Sequence, residues 1–411
     1  MGAKKQVIIV GGGASGMVAA ISAKRKGADV TILERNPRIG KKILATGNGR
    51  CNFTNINLDA ACYHGSNPQF VESVFSAFGV QETIEFFEEL GIAYKVEDAG
   101  KVFPMSDQAS SILDVLLYEL KKLGPRIVCD AYVQNIKKEQ GRFRVELADG
   151  TCFYGDRVIL ATGGKAMPAS GSDGNGYSLA ERLGHTIIPI FPALVQLMLE
   201  GDYFRQIQGV KFVGTAELLH NQKVVARERG DILFANYGVS GPPILQISRK
   251  AGELLQAQKE ALLKIILIDS MSRGELSELL CKRWQVRPEK TVEFSLVGLI
   301  NKRLISVVLK EAGISDLRCP VVNLSAKERE KIVKILTDWR FKVRRTKGWS
   351  SAQVTAGGVS TAEINEKTLA SKIIPGLYFA GEIVDVDGQC GGFNLQWAWS
   401  SGYLAGQDAA L

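Results

Sequence analysis

Val7-Ile-Ile-Val-Gly-Gly-Gly-Ala-Ser-Gly16 is the stretch on which the fold turns. Four apolar β-formers run straight into three glycines, the pattern of a buried parallel strand that turns sharply into a helix. Gly11 permits the tight turn, Gly13 removes a Cβ where backbone meets a pyrophosphate, and Gly16 lets the helix pack close to the strand. That helix, read from Ala14 to about Lys26, begins with Ala14 and Ser15. It points free amides and roughly half a positive charge of dipole at the phosphates. A second strand, Val30 to Leu33, ends in Glu34, 18 residues beyond Gly16. This is close to the spacing of about 20 at which an acid bonds a ribose hydroxyl. An acid there suits an unphosphorylated adenosine ribose, so FAD or NAD fits and NADP fits poorly. An ordinary strand, loop and helix would not need all these parts in register.

Two further strand ends extend the pattern. Val158-Ile-Leu-Ala-Thr-Gly-Gly164 is an apolar strand running into glycines, expected at the centre of the parallel sheet, with Thr162 and Gly163 at its cofactor end. Gly376-Leu-Tyr-Phe-Ala-Gly-Glu382 is another strand, ending in Gly381 and Glu382. Together with the first motif they read as the split site of an FAD enzyme, the adenine half at one terminus and the flavin half at the other. A carboxylate at Glu382 can accept from the ribityl chain. A helix beginning near Asn394 and Leu395 would aim amides at the N1 to O2 edge of the flavin, stabilising the reduced anion by roughly 0.3–1 kcal/mol. Trp397 and Trp399 fall inside that helix and read as packing residues.

Composition agrees with a large folded protein. The 411 residues are 45% hydrophobic and 23% charged, enough for two or three domains. No apolar run approaches the ~18 residues of a membrane span. Seven scattered cysteines, with no Cys-x-x-Cys pair and no clustering with the three histidines, argue for a reducing compartment and against zinc, iron-sulfur or a disulfide framework. Lys4 and Lys5 ahead of an apolar stretch imitate a secretory signal, but the glycine triplet interrupts it. Met1-Gly2 imitates a myristoylation start, but Gln6 stands where Ser or Thr is wanted. A cytoplasmic protein is expected. The net charge of +8 suggests an anionic cofactor or partner.

Along the chain, Arg35 to Asn55 is a long basic, glycine-bearing loop, a length usually reserved for function. Helical periodicity follows at about 68–78, 80–90 and 109–123, then strands at 126–134, 142–147, 151–154 and 157–161, with Asp149-Gly150 as a hairpin turn. Short alternating runs between 187 and 354, such as Val224 to Arg227 and Asp231 to Phe234, suggest an antiparallel β unit, and 272–337 reads as helical. Parallel-sheet character returns at Ile374 to Ala380. The expected architecture is α/β: a discontinuous Rossmann-like FAD-binding domain over 1–190 and 355–411, with an inserted antiparallel β domain over 191–271 and 338–354 and a helical part over 272–337.

Four motifs carry a resemblance. They are Gly-Lys-Lys-Ile-Leu-Ala-Thr-Gly-Asn-Gly-Arg-Cys-Asn-Phe-Thr-Asn (40–55), Leu-Phe-Ala-Asn-Tyr-Gly-Val-Ser-Gly-Pro (233–242), Val-Thr-Ala-Gly-Gly-Val (354–359) and Gly-Gly-Phe-Asn-Leu-Gln-Trp-Ala-Trp-Ser-Ser-Gly (391–402). In this order they make the chain resemble, over essentially its whole length, the bacterial FAD-binding proteins named after aminoacetone oxidase, a family that includes a bile-acid-inducible reductase. The resemblance implies the barrel-like and helical domains, and chemistry that is either amine oxidation or NAD(P)H-linked reduction. Through the family loop it places Lys41, Lys42, Arg50, Cys51 and Asn52 near the cofactor, although a solvated surface remains an equal reading for the lysines. Arg35, Gly47 and Val133 complete the expected contacts. More loosely, Thr162 to Gly184 looks like the segment of fumarate reductases and ketosteroid dehydrogenases that packs a helix near the flavin, which favours hydride exchange at a carbon-carbon bond.

Several alternatives are weaker. A Cys51–Cys390 redox pair would need a short Cα separation that sequence does not show. Gly238-Val-Ser-Gly-Pro242 is no nucleophile elbow, because a glycine follows Ser240 directly; Pro242 reads as a first helical residue. His64, His185 and His220 have no partner that marks a base. No catalytic acid or base is identified. The favoured function is an FAD-dependent oxidoreductase acting on a small organic molecule. The competing readings are a flavoprotein acting on tRNA and a flavin-binding protein with little turnover. Basic clusters at Arg340 to Lys347 and Lys282 to Lys290 would permit RNA, but they lack regular aromatic interleaving and charge runs are usually solvated faces, which argues against nucleic acid.

Overall fold

The computed structural model describes residues 4–411, so the Met1-Gly2 start lies outside the described residues. The chain opens with β1 (Gln6–Val10), α1 (Ala14–Arg25) and β2 (Asp29–Leu33). Helices α2 (Phe70–Ala77), α3 (Val80–Glu89) and α4 (Ala109–Leu123) follow. Next come β3 (Arg126–Val128), an antiparallel set of β4 (Val133–Glu139), β5 (Arg142–Leu147) and β6 (Cys152–Gly155), then β7 (Arg157–Leu160) and α5 (Asn175–Arg182).

The chain then enters a second unit, Ala193–Ser351. Its strands are β8 (Leu197–Leu199), β9 (Lys211–His220), β10 (Lys223–Ala235), β11 (Gly238–Ser240), β12 (Leu262–Ile266) and β13 (Trp339–Thr346). They close an antiparallel barrel in the order β8-β11-β10-β9-β12-β13. Its helices are α6 (Pro242–Gln256), α7 (Arg273–Val286), α8 (Lys302–Glu311) and α9 (Ala326–Thr337). Pro242 does occupy the first turn of α6. The helices of 272–337 share one apolar core with the barrel: Leu276, Trp284 and Leu304 are buried in the same cluster as Phe234, Trp339 and Phe341.

At Ala352 the chain returns to the first unit with β14 (Val354–Val359), β15 (Leu377–Phe379) and α10 (Phe393–Ala409). The parallel sheet runs β15-β7-β1-β2-β3. The Val158 strand is therefore interior but not central; β1 holds the middle, paired to β7 on one side and β2 on the other. An apolar run buried on both faces looks the same at either interior position. The expected strand 126–134 is broken, because Ala131 N–H donates to Glu34 O and Asp130 N–H to Asn36 O, with Asp130 at φ +54. Conversely, the two short runs 224–227 and 231–234 belong to one 13-residue strand.

Helix α1 is buried along nearly its whole length, from Ser15 to Ala23. It can be, because it is built of small residues that admit a close neighbour. That neighbour is α10: a Cβ added at Gly402 would stand 2.3 Å from Ser15 O, and one at Gly406 2.3 Å from Ala19 O. Ser22 Oγ donates to Tyr403 O across the same seam. The two ends of the chain are thereby locked together. No helix among the described residues is long and apolar enough to cross a membrane.

Candidate cofactor and active site

The β1–α1 turn forms one wall of a cavity in the first unit. Gly11 has φ +107, and a Cβ there would lie 2.4 Å from Ala161 O; a Cβ at Gly16 would lie 1.9 Å from Gly11 O. Neither position accepts a side chain, so the turn brings the helix start hard against the strand end. Gly13 differs: a Cβ there meets nothing within 4 Å. Gly13 is also the N-cap of α1 and offers no side-chain cap, so the first amides of the helix lack acceptors. The result is an anion cradle open to the cavity. Gly11, Gly13, Ala14 and Ser15 all line it, whereas Gly16 lies behind as packing.

Glu34 is held by three N–H donors. Gly12 N–H donates to Oε2 at 2.8 Å, and Asn36 donates to Oε1 from both its backbone N and Nδ2 at 2.8 Å. Two donors fill the lone pairs of Oε1, while Oε2 keeps one for a further donor such as a ribose hydroxyl. Beside it Arg35 pairs with Asp173, and its guanidinium lies 4.9 Å over the Tyr132 ring. Val133, Thr162 and Gly163 complete this part of the wall.

Elsewhere on the wall, Lys42, Glu382, Asn394 and Leu395 meet. Lys42 Nζ lies 2.6 Å from Glu382 Oε2, and Thr355 N–H donates to Glu382 Oε1 at 2.9 Å. The carboxylate expected to serve a ribityl chain thus already has a cation on one oxygen and an amide on the other. Asn394 spends its side chain on the preceding turn, donating to Gly388 O and Gln389 O and accepting from Gly388 N–H. What it offers the cavity is backbone. The N-cap of α10 is Gly392, without a side-chain cap, and the first-turn residues Asn394 and Leu395 line the cavity. Trp397 lines the cavity while its indole donates to Gly381 O, and Gly381 N–H donates to Ser401 Oγ. Gly381 itself is not on the wall; its peptide is clamped by α10 and carries Glu382 into place.

Gly47, Arg50, Cys51 and Asn52, expected beside the cofactor, are not on this wall. Thr46 is, but Gly47 at φ +55 and Asn48 at φ +56 then turn the chain away. Arg50 binds Glu97 and Asp107 and lies 4.1 Å over the Phe103 ring. Asn52 Oδ1 accepts from Val102 N–H. Cys51 is fully buried, burial pushes its thiol up to about 12, and it forms no disulfide. These residues anchor the loop to the strand Lys101–Pro104. Sequence reading missed Asn36, Gln353 and the segment Ser170 to Asp173, all on the wall. Asn36, two residues past Glu34, could have been found as a turn residue bonding locally.

The cavity fits FAD: two bare helix starts for negative charge, an acid with a spare lone pair for ribose, and a cation at Lys42. His185 plays no part, since burial lowers its pKa and its Nε2 is bonded to Ser371 Oγ in the core.

Comparison with known proteins agrees with this geometry. The model of the HI0933-like protein Rossmann domain matches residues 5–408. The chain is 42% identical to the 3-dehydro-bile acid delta(4,6)-reductase of Clostridium scindens, over 98% of both chains. It is 31% identical to the ribosomal RNA dihydrouridine synthase of Escherichia coli, over 98% of this chain and 97% of that one. Among solved structures, a 3-ketosteroid-delta4-(5alpha)-dehydrogenase from Rhodococcus jostii RHA1 aligns over 99% of this chain and 97% of its own, at 20% identity and a TM-score of 0.49. A family model that spans nearly the whole chain, on a cavity made for a flavin dinucleotide, identifies this protein as a member of the HI0933-like family and an FAD-dependent oxidoreductase.

Proposed function

We propose that this protein reduces a carbon-carbon double bond conjugated to a carbonyl, with NAD(P)H as reductant. The observation that carries the reading is the uncapped start of α10 on the cavity wall. Amides there favour a bound group that has gained negative charge, so the site is suited to being loaded by a hydride donor. Two relatives support the type of bond. One name specifies a dehydro-bile acid and the other a uridine, yet both describe adding hydrogen to an alkene beside a carbonyl. An enone and a uracil ring each meet that description.

FAD would supply the two-electron chemistry by which a hydride passes from nicotinamide to alkene. The chain's own residues hold and orient. The α1 amides offset the pyrophosphate charge, Glu34 accepts from the adenosine ribose, and Lys42 holds Glu382 in place. Trp397 and Ala398 contribute apolar surface to the wall. The balance is one hydride to the β-carbon and one proton to the α-carbon, with NAD(P)H leaving as NAD(P)+. A cytoplasmic setting goes with this reading, because NAD(P)H is supplied there.

The test is anaerobic. NADH or NADPH should bleach the yellow holoprotein, and a cyclic enone should restore the colour. Amine oxidation, the other activity implied by resemblance, predicts the reverse: bleaching by a primary amine such as aminoacetone and none by either nicotinamide. That result would end the reductase reading.

A further inference from the structure

We propose that residues 167–173 form a strap on the cofactor cavity, and that FAD enters and leaves only when the strap lets go of the loop that follows β2. This requires FAD in the cavity and nothing about the substrate that the flavin reduces.

The strap joins the end of β7 to the start of α5. Its residues Ser170, Gly171, Ser172 and Asp173 all line the cavity. Both of its ends are fixed. Before it, Lys165 N–H and Ala166 N–H donate to Thr355 Oγ1 at 2.7 and 3.0 Å, and Ala166 is fully buried. After it, Ser172 Oγ donates to Gly164 O at 2.9 Å and Asn175 Nδ2 to Val133 O at 2.9 Å. Between these anchors no residue from Met167 to Gly171 is buried, so apolar packing does not hold the middle down.

What holds it is polar and comes from one short stretch of chain. Asn36 Nδ2 donates to Ser170 O at 3.0 Å, Lys41 Nζ donates to Ala169 O at 2.6 Å, and Arg35 pairs with Asp173. Lys41 is exposed, and the side chains of Arg35 and Asp173 are each about a third exposed. Ties that water can replace are weak, and they are the first to open. The strap also has its pivots. Pro168–Ser170 is a single helical turn bounded by Met167 at φ +56 and Gly171 at φ +104, loop positions at which a hinge absorbs a change of dihedral. Asn36 links strap and ligand site, because the same Nδ2 gives its other hydrogen to Glu34 Oε1 at 2.8 Å. Closure of the strap and orientation of the acid assigned to the ribose are therefore set by one amide.

The test follows FAD exchange in the full-length protein rather than turnover. Lys41→Met combined with Asp173→Asn cuts two of the three ties and removes one charge of each sign, which leaves the long-range pull on anionic FAD unchanged. Flavin fluorescence times uptake by the apoprotein, and radiolabelled FAD chased with unlabelled FAD times loss from the holoprotein. Each tie joins protein to protein, so both rates should rise together by roughly tenfold while Kd stays within about threefold. Faster loss with unchanged uptake, and Kd weakened in proportion, overturns the strap and makes the two side chains ordinary FAD contacts. No change in either rate also overturns it. If the double variant folds poorly, hydrogen exchange of the parent protein gives an independent reading: amides of 167–173 should exchange rapidly in apoprotein and slow markedly with FAD. Protection elsewhere on the wall but none in the strap overturns the proposal, as does a protein that takes up no FAD. Failure of NAD(P)H to bleach the bound flavin would end the reductase reading and leave the strap standing.

Discussion

Glu34 shows what one carboxylate does in this fold. It terminates β2, ties the β1–α1 turn through Gly12 N–H, and fixes the next loop through both nitrogens of Asn36. Glu34→Gln retains the shape but loses the charge and one acceptor. Hydrogen bonds to a charged group contribute about 1.5–3 kcal/mol, so FAD affinity should fall roughly 10- to 100-fold. Titration of apoprotein with FAD checks this; an unchanged Kd would mean that the ribose is held elsewhere. Glu34 could be read from sequence because its role depends on spacing from a glycine motif. Arg50 and Asn52 sit in an equally recognisable motif, yet their partners Glu97, Asp107 and Val102 are 47 or more residues away in the chain. Nothing local shows that such a loop has two sides, one facing the cavity and one facing a strand.

The element that organises the site is the seam between α1 and α10. Each helix start points bare amides into the cavity, and the seam sets the two starts relative to each other. Gly406→Leu would force a side chain into the backbone of Ala19, where no rotamer change relieves a carbonyl. Overpacking of this kind costs about 1–3 kcal/mol. Since 1 kcal/mol corresponds to about 2–4 °C for a unit of this size, the melting temperature should fall by several degrees and FAD should be retained poorly. Thermal melting with and without FAD measures both; a variant that melts and binds like the parent would show that the seam yields. The helices themselves were plain in the sequence. Their contact was not, because Gly402 and Gly406 have no apolar signal and register only when a neighbour's backbone is seen beside them.

For the whole molecule, the cofactor site lies within one of the two units. The cofactor unit has cradles that exist only when it is folded, so FAD should stabilise it by mass action. At 100 times Kd the gain is about 2.7 kcal/mol, visible as a rise in the melting transition. No rise at saturating FAD would dissociate this cavity from the cofactor. The sequence revealed the discontinuous sheet, since the ends of β1, β7 and β15 each carry glycines, and it revealed the inserted β unit by alternation. Strand order, the six-strand closure and the common core of barrel and helices depend on long-range pairing and stayed hidden. The tie between the chain's two ends also has a consequence for biosynthesis. The glycine-rich turn leaves the ribosome well before its counterpart, since Glu382 and the start of α10 emerge some 370 residues later. At about 5–20 residues/s that is a delay of roughly 20–70 s, during which the fingerprint exists without its other half. Flavin loading therefore waits for α10 to be made, and a nascent chain halted in the barrel should carry none.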